Sequence, residues 1–398
     1  MANINMKKIS IFYIGYIFTI ILLFLYSYTQ VDLSLTLSRV SIWQNIQKSF
    51  QYIGYFQRPL SASFYVFIIL LLFVFYAGFL YLAAKYQLKR RTAWKIIIIV
   101  GFVLLFAYNA FSYDLFNYIF DAKIITHYFQ NPYTHSALDF PKDPMLSFMH
   151  WTQRTYPYGP IWLLLTIPLS FIGLQFFLPT FFLFKALGVA SYFITIIYLE
   201  KILQRLKPKS AVFGVILFSL NPLVIIESLV SAHLDTTMLA FGVISLYFLL
   251  DNKNIRSSFL LLLSIGIKFA TGFLLPVYLF AFYLYKKHKE IPWNIFFICS
   301  AIVMGFAVVV EALRTNFQPW YFLIVMPFLA LLGKKSYVVI PSFVLSFFFL
   351  LEYLPFLYRG DWNPPVPSQL TMLTISGIIT SILIFFIWKI YTIVSWNK

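Results

Sequence analysis

Apolar runs long enough to approach or cross a bilayer follow one another almost from end to end: 9–28, 64–84, 95–111, 160–177, 180–200, 211–230, 235–250, 257–285, 292–311, 319–333, 336–354 and 370–392. A hydrocarbon layer about 30 Å thick is crossed by about 20 apolar residues in a helix. Inside it there is no water to satisfy the backbone, so only helices and closed barrels survive there. Barrel strands would alternate in polarity, and these runs do not. The expected fold is all-α: a polytopic transmembrane helix bundle of about 11–13 spans, one integral-membrane domain over 1–398 with a large extracytoplasmic loop between early spans. Composition agrees, with 61% hydrophobic and 11% charged residues where soluble domains carry about 25% charged.

The formal charge of +17 would suggest nucleic acid in a soluble protein. Here the lysines and arginines cluster between apolar runs, the positive-inside pattern, so membrane lipid is the expected partner and nucleic acid is not. Lys7 and Lys8 precede a first run that reads as a retained span rather than a cleaved signal. With these inside, Lys85, Lys89, Arg90, Arg91 and Lys95 also fall inside, and the loop 112–158 falls outside. One crossing per run keeps Lys286, Lys287, Lys289, Lys334 and Lys335 inside but throws Lys201, Arg205, Lys207 and Lys209 outside, so one assignment must give way. The count is repaired if 160–177 or its neighbour does not fully cross and if 257–285, interrupted by Gly266, Lys268, Gly272 and Pro276, is a re-entrant pair of half-helices lining a polar cavity.

Polar chemistry concentrates in 112–158. These 47 residues hold four of the 13 acids (Asp114, Asp121, Asp139, Asp143) and three of the five histidines (His127, His135, His150). In SYDLFNYIFDAKII, helical spacing puts Asp114, Asn117, Tyr118 and Asp121 on one face. Asn131-Pro132 ends that helix, and Tyr156-Pro157-Tyr158-Gly159-Pro160 returns the chain to the membrane. Asp139 and Asp143 read as loop-capping acids. Asp114 differs, because it lies a turn beyond a fully apolar run, where a carboxylate is costly unless used or paired.

Ionisable groups recur inside apolar stretches at Lys185, Glu227, His233, Asp235, Lys268 and Glu311, and such residues are functional hypotheses by default. Asp235 before two threonines also reads as a helix N-cap, and Lys185 as a snorkelling lysine. Lys268, between glycines and far from any span end, points to an anionic ligand. Arg314, Gln318, Trp320 and Tyr321 sit at an outer edge, where an aromatic belt is the alternative account. The single cysteine, Cys299, excludes a disulfide framework and a thiolate metal site. No zinc spacing, P-loop or dinucleotide fingerprint is present, so any donor should reach the site through the membrane.

Taken in order, YDLFNYIFDAKII, Asn131-Pro132-Tyr133, YPYGP at 156–160, NPLVIIE with His233 and Asp235, the lysine of GIKFATGFLLP, and QPWY at 318–321 resemble the integral-membrane glycosyltransferases of the C superfamily, closest to the polyprenol-phosphate-mannose-dependent mannosyltransferases. The resemblance implies transfer of a sugar, mannose above others, from a polyprenyl-phosphate donor to a glycolipid or glycan acceptor on the extracytoplasmic face of a bacterial or archaeal cytoplasmic membrane, in one inverting step. It implies Asp114 as general base, with Asp121 as alternative or positioning acid. Lys268, Arg154, His233 and Arg314 would meet the donor phosphate. Asn117, Tyr118, Tyr158, Asp235, Gln318, Trp320 and Tyr321 would line the substrate. A lone Asp114, where the family carries paired acids, leaves a Mg or Mn cofactor open. The competing reading is a polyprenyl-linked sugar flippase or secondary transporter, against which stands the piling of acids on one loop.

Overall fold

The computed structural model describes residues 6–396. It is helical throughout, with no strand among the described residues and only an isolated bridge between Ser136 and Thr155. In order come α1 (Met6–Ser27), α2 (Ser41–Gln51), α3 (Arg58–Ala84), α4 (Arg90–Leu105), α5 (Asp114–Thr126), α6 (Pro160–Ile172), α7 (Phe177–Leu206), α8 (Ala211–Ser219) and α9 (Pro222–Ile225). Then follow α10 (Asp235–Leu250), α11 (Asn254–Ile267), α12 (Leu275–Lys286), α13 (Trp293–Thr315), α14 (Met326–Leu332), α15 (Ser336–Leu351), α16 (Tyr353–Arg359) and α17 (Val366–Trp396). By length and composition seven of the described helices can cross a membrane, and the bent pair Pro208–Ser219 plus Pro222–Val230 makes an eighth. Pro160–Ile172, Asp235–Leu250, Asn254–Ile267 and Pro319–Leu332 are apolar but shorter.

The connections sort into two ends. At one, the Lys334 ammonium donates to the Ala84 carbonyl at 2.9 Å and Lys207 to those of Leu331 and Leu332 at 3.0 and 3.2 Å. There too Arg90 grips Glu200 at 2.7 Å, and Arg205 pairs with Asp251. This basic end therefore gathers the clusters at 85–95, 201–209 and 334–335. At the other end Asp114 meets His233, Lys268 meets Asp235 and Glu311, and Tyr353 meets Glu227.

The 160–177 segment explains how 201–209 reaches the basic end. Tyr118 of α5 touches Trp162 at the start of α6, with ring centroids 5.4 Å apart, and Thr126 at the end of α5 bonds Ser170 near the end of α6 at 2.8 Å. The two helices thus lie side by side in the same direction at the acidic end. Phe177 opens α7 against Phe116 and Phe148 at that same end, so α6 turns back without crossing. The break expected in 257–285 falls at Lys268: α11 rises from the basic end and 269–286 returns to it.

Helix length sets the depth of the acidic cluster. At 1.5 Å per residue, α10 and α11 rise about 24 and 21 Å, short of the hydrocarbon thickness, while α7 and α13 rise about 45 and 34 Å. Asp235 and Lys268, at the ends of the short helices, consequently sit below the rim made by the long ones.

The segment 211–240 is the centre of the bundle, buried at every position but Val212. Its 55° bend has a local cause. Asn221 caps α9 by accepting from the Leu223 amide at 2.9 Å, Pro222 occupies the first helical position, and the Asn221 amide ties the bend to Ser346 at 3.0 Å. Lipid provides no hydrophobic drive between helices, so such bonds and close packing carry association. Gly159 shows the packing limit, since a Cβ there would stand 2.1 Å from the Gly266 carbonyl oxygen. Between α1 and α3, α2 turns its glutamines inward, Gln47 to the Leu35 carbonyl at 2.6 Å, and leaves Ile42, Trp43 and Ile46 exposed. That inside-out pattern suits a helix lying at the lipid–water boundary.

Candidate active site

Four breaks in regular helix meet at the acidic end: the start of α5, the turn 231–234 before α10, the link at Lys268, and the 3-10 segment Pro319–Ile324 before α14. Each break contributes side chains to the cluster described below.

Asp114 opens α5. Its side chain is 18% exposed and its Oδ2 lies 3.6 Å from His233 Nδ1. Burial raises the Asp114 carboxyl above the ordinary carboxylate range, and neighbouring His233 and Lys268 oppose part of that rise. His233 is fully buried and its Nε2 lies 3.3 Å from Glu227 Oε2. The imidazole thus stands between two carboxylates at ion-pair distance, without an aligned hydrogen bond to either. Its ring is stacked on Trp320, centroids 4.2 Å apart and 19° between planes. Glu227 is fixed from behind by the Tyr353 hydroxyl, which donates to its Oε1 at 2.9 Å.

Beside this row lies a second one. Lys268 Nζ stands 3.0 Å from Asp235 and 3.2 Å from Glu311, and 5.1 Å above the Tyr321 ring. Tyr321 is anchored through its hydroxyl to Thr315 at 2.7 Å. Asp235 is the first residue of α10 but makes no capping bond with its side chain; its partner is the lysine. Tyr158 and Tyr118 close the α5 side, edge to face at 5.4 Å.

Asp114, Tyr118, Tyr158, His233, Asp235, Lys268, Trp320 and Tyr321 are therefore brought into one cluster. Asp121 shares the Asp114 face of α5 but is buried further along, with no ion pair, and burial raises its carboxyl well above the usual range. Asn117 is half-buried on that face, and Gln318 is half-buried where its carbonyl starts the 319–324 turn. Arg154 and Arg314 are both exposed. Arg154 lies over Trp151 at 4.4 Å and close enough to act electrostatically on Asp114. Asp139 and Asp143 do cap short helices, and Asp143 also holds Lys123 at 2.5 Å.

Glu227, Glu311 and Tyr353 belong to the cluster as well. The two acids were marked in sequence by standing in apolar runs; Tyr353 carries no such mark. Among the described residues no three His, Cys, Asp or Glu side chains are arranged to hold a metal ion. The described residues thus offer no such ligand set, and Lys268 is a fixed cation of the cluster.

Such a bundle, with acids, imidazole, lysine and aromatic faces converging below one rim, defines an integral membrane protein with a polar site at one end. A family model for the alpha-(1->6)-mannopyranosyltransferase N-terminal domain matches residues 24–284. The chain belongs to that membrane mannosyltransferase family and is a glycosyltransferase. No curated protein and no solved structure matches it.

Proposed function

We propose that the acidic end transfers a mannosyl group from a polyprenyl-phosphate donor to a hydroxyl of a glycolipid or glycan acceptor, with inversion, on the extracytoplasmic face. The observation that carries this reading is the position of Asp114: a half-buried carboxylate, open enough to reach an acceptor and facing a wall that contains His233 and Lys268. Transfer to a hydroxyl needs a base as the bond forms, and a raised carboxyl at the edge of a dry site serves. The leaving phosphate gains charge in the transition state, and fixed cations stabilise it. Lys268 shares its charge with two carboxylates, so the guanidinium groups of Arg154 and Arg314 at the rim, which hold no ion pair among the described residues, are assigned the outer phosphate oxygens, with Lys268 and His233 deeper. Trp320, Tyr321, Tyr158 and Tyr118 offer faces to the sugar. A single base and a phosphate leaving group on opposite sides of the anomeric carbon give one displacement, so no carboxylate nucleophile is required.

The test is label transfer from polyprenyl-phosphate-[14C]mannose in membranes that supply their own acceptors. Wild type is expected to make a labelled product, and Asp114→Asn to lower the rate by about 10²–10⁴, the worth of a general base. A wild-type chain that transfers nothing but moves the donor across the bilayer would replace this reading with transport.

A further inference from the structure

Lys185 lies in the first third of α7, is fully buried, and pairs with no carboxylate among the described residues. Its ammonium instead donates to two consecutive carbonyls, Leu229 and, at 2.9 Å, Val230. Those carbonyls belong to the wide π-turn Ile226–Val230. The turn carries Glu227, and after it the chain reverses through Ala232 at φ +52° to deliver His233 and Asp235.

A helix end inside a bilayer must find donors for its last carbonyls, because no water is there to supply them. A left-handed alanine adds strain that surroundings have to hold. The stripe on α7 does both. One turn on from Lys185, Gly188 faces the same segment, where a Cβ would make ordinary van der Waals contact, 3.4 Å from the Ser228 carbonyl oxygen and 3.5 Å from Ala232 Cβ. At the next turn Ser191 bonds Thr237 of α10 at 2.9 Å. Lysine, glycine and serine at i, i+3 and i+6 thus form a cradle for residues 228–237.

We propose that Lys185 is a positioning residue of the site: by holding the Leu229 and Val230 carbonyls it fixes the turn that sets His233 between Asp114 and Glu227 and Asp235 against Lys268. Methionine in its place keeps the length and loses both bonds. The role rests on the transferase reading for its kinetic readout alone.

The experiment compares wild type, Lys185→Met and Lys185→Gln as full chains in nanodiscs, by hydrogen exchange and by label transfer from polyprenyl-phosphate-mannose. Expected for Lys185→Met is at least tenfold faster exchange confined to 226–237, with kcat lowered at least tenfold and donor KM within threefold. Lys185→Gln, which keeps an amide donor, is expected to fall between the two. Unchanged exchange in 226–237 with unchanged kcat overturns the proposal. So does loss of protection across the whole bundle in both variants, since the lysine would then serve general stability. Exchange loosened at 226–237 in chains that transfer no mannose supports the cradle and contradicts the donor assignment instead.

Discussion

An acid beside a histidine becomes a base only if something keeps both where a hydroxyl can reach them. Asp114 is kept by the start of α5 and His233 by Glu227 and Trp320. Because burial raises the Asp114 carboxyl and only its ionised form accepts a proton, the transfer rate should be lost as pH falls through a value above the ordinary carboxylate pKa of about 3.9. A pH–rate profile of kcat/KM checks this, and an acid limb at or below that value would contradict it. Lys268 supplies the complementary case. Lys268→Met leaves Asp235 and Glu311 facing each other without their cation, a change worth about 3–5 kcal/mol when one partner of a buried pair is removed. Detergent thermal unfolding should show that loss, and adding Asp235→Asn should recover part of it. Much of this cluster was legible in the sequence, because an ionisable group in or just beyond an apolar run is costly unless used or paired; Asp114 stood out just beyond such a run, and His233, Asp235 and Lys268 within one, though Asp235 also read as a helix cap. Tyr353 did not, since a tyrosine at a membrane edge is ordinary and its bond to Glu227 spans 126 residues.

At the scale of elements, the site depends on where helices stop. Asn221→Ala removes the cap of α9 and the tie to Ser346, and should cost about 1–2 kcal/mol, read from thermal unfolding of the purified chain. The loop 136–158 has its own lock. Asp143 is buried, yet Lys123, Tyr128 and the Met145 amide together hold its carboxyl below the usual range. A carboxyl depressed in the folded state contributes stability that is present above its unfolded pKa of about 3.9 and is lost as pH falls through the folded value. Limited proteolysis of this loop should therefore accelerate below about pH 4, and Lys123→Met should remove that pH step. The short non-crossing α6 was foreseen only as one repair among others, because hydropathy is the same for a helix that crosses and one that turns back. The return of Phe177, at the start of α7, to Phe116 and Phe148 decides it.

For the whole molecule, the two ends make opposite predictions about labelling. With Cys299 replaced, single cysteines at Ser136 and Asn363 should react from one side of the membrane, and at Lys209, Asn252 and His288 from the other. Reaction at Lys209 from the side of Ser136 would contradict the path through α6. The proposed catalysis uses the same polarity, with the acidic cluster below one rim while the clusters at 85–95, 201–209 and 334–335 gather at the opposite end. The most direct test of the account is transfer from polyprenyl-phosphate-[14C]mannose in sealed vesicles of both orientations. Labelled product should appear on the face that carries 112–158 and vanish with Asp114→Asn. Product on the basic face, or full activity in Asp114→Asn, would contradict it.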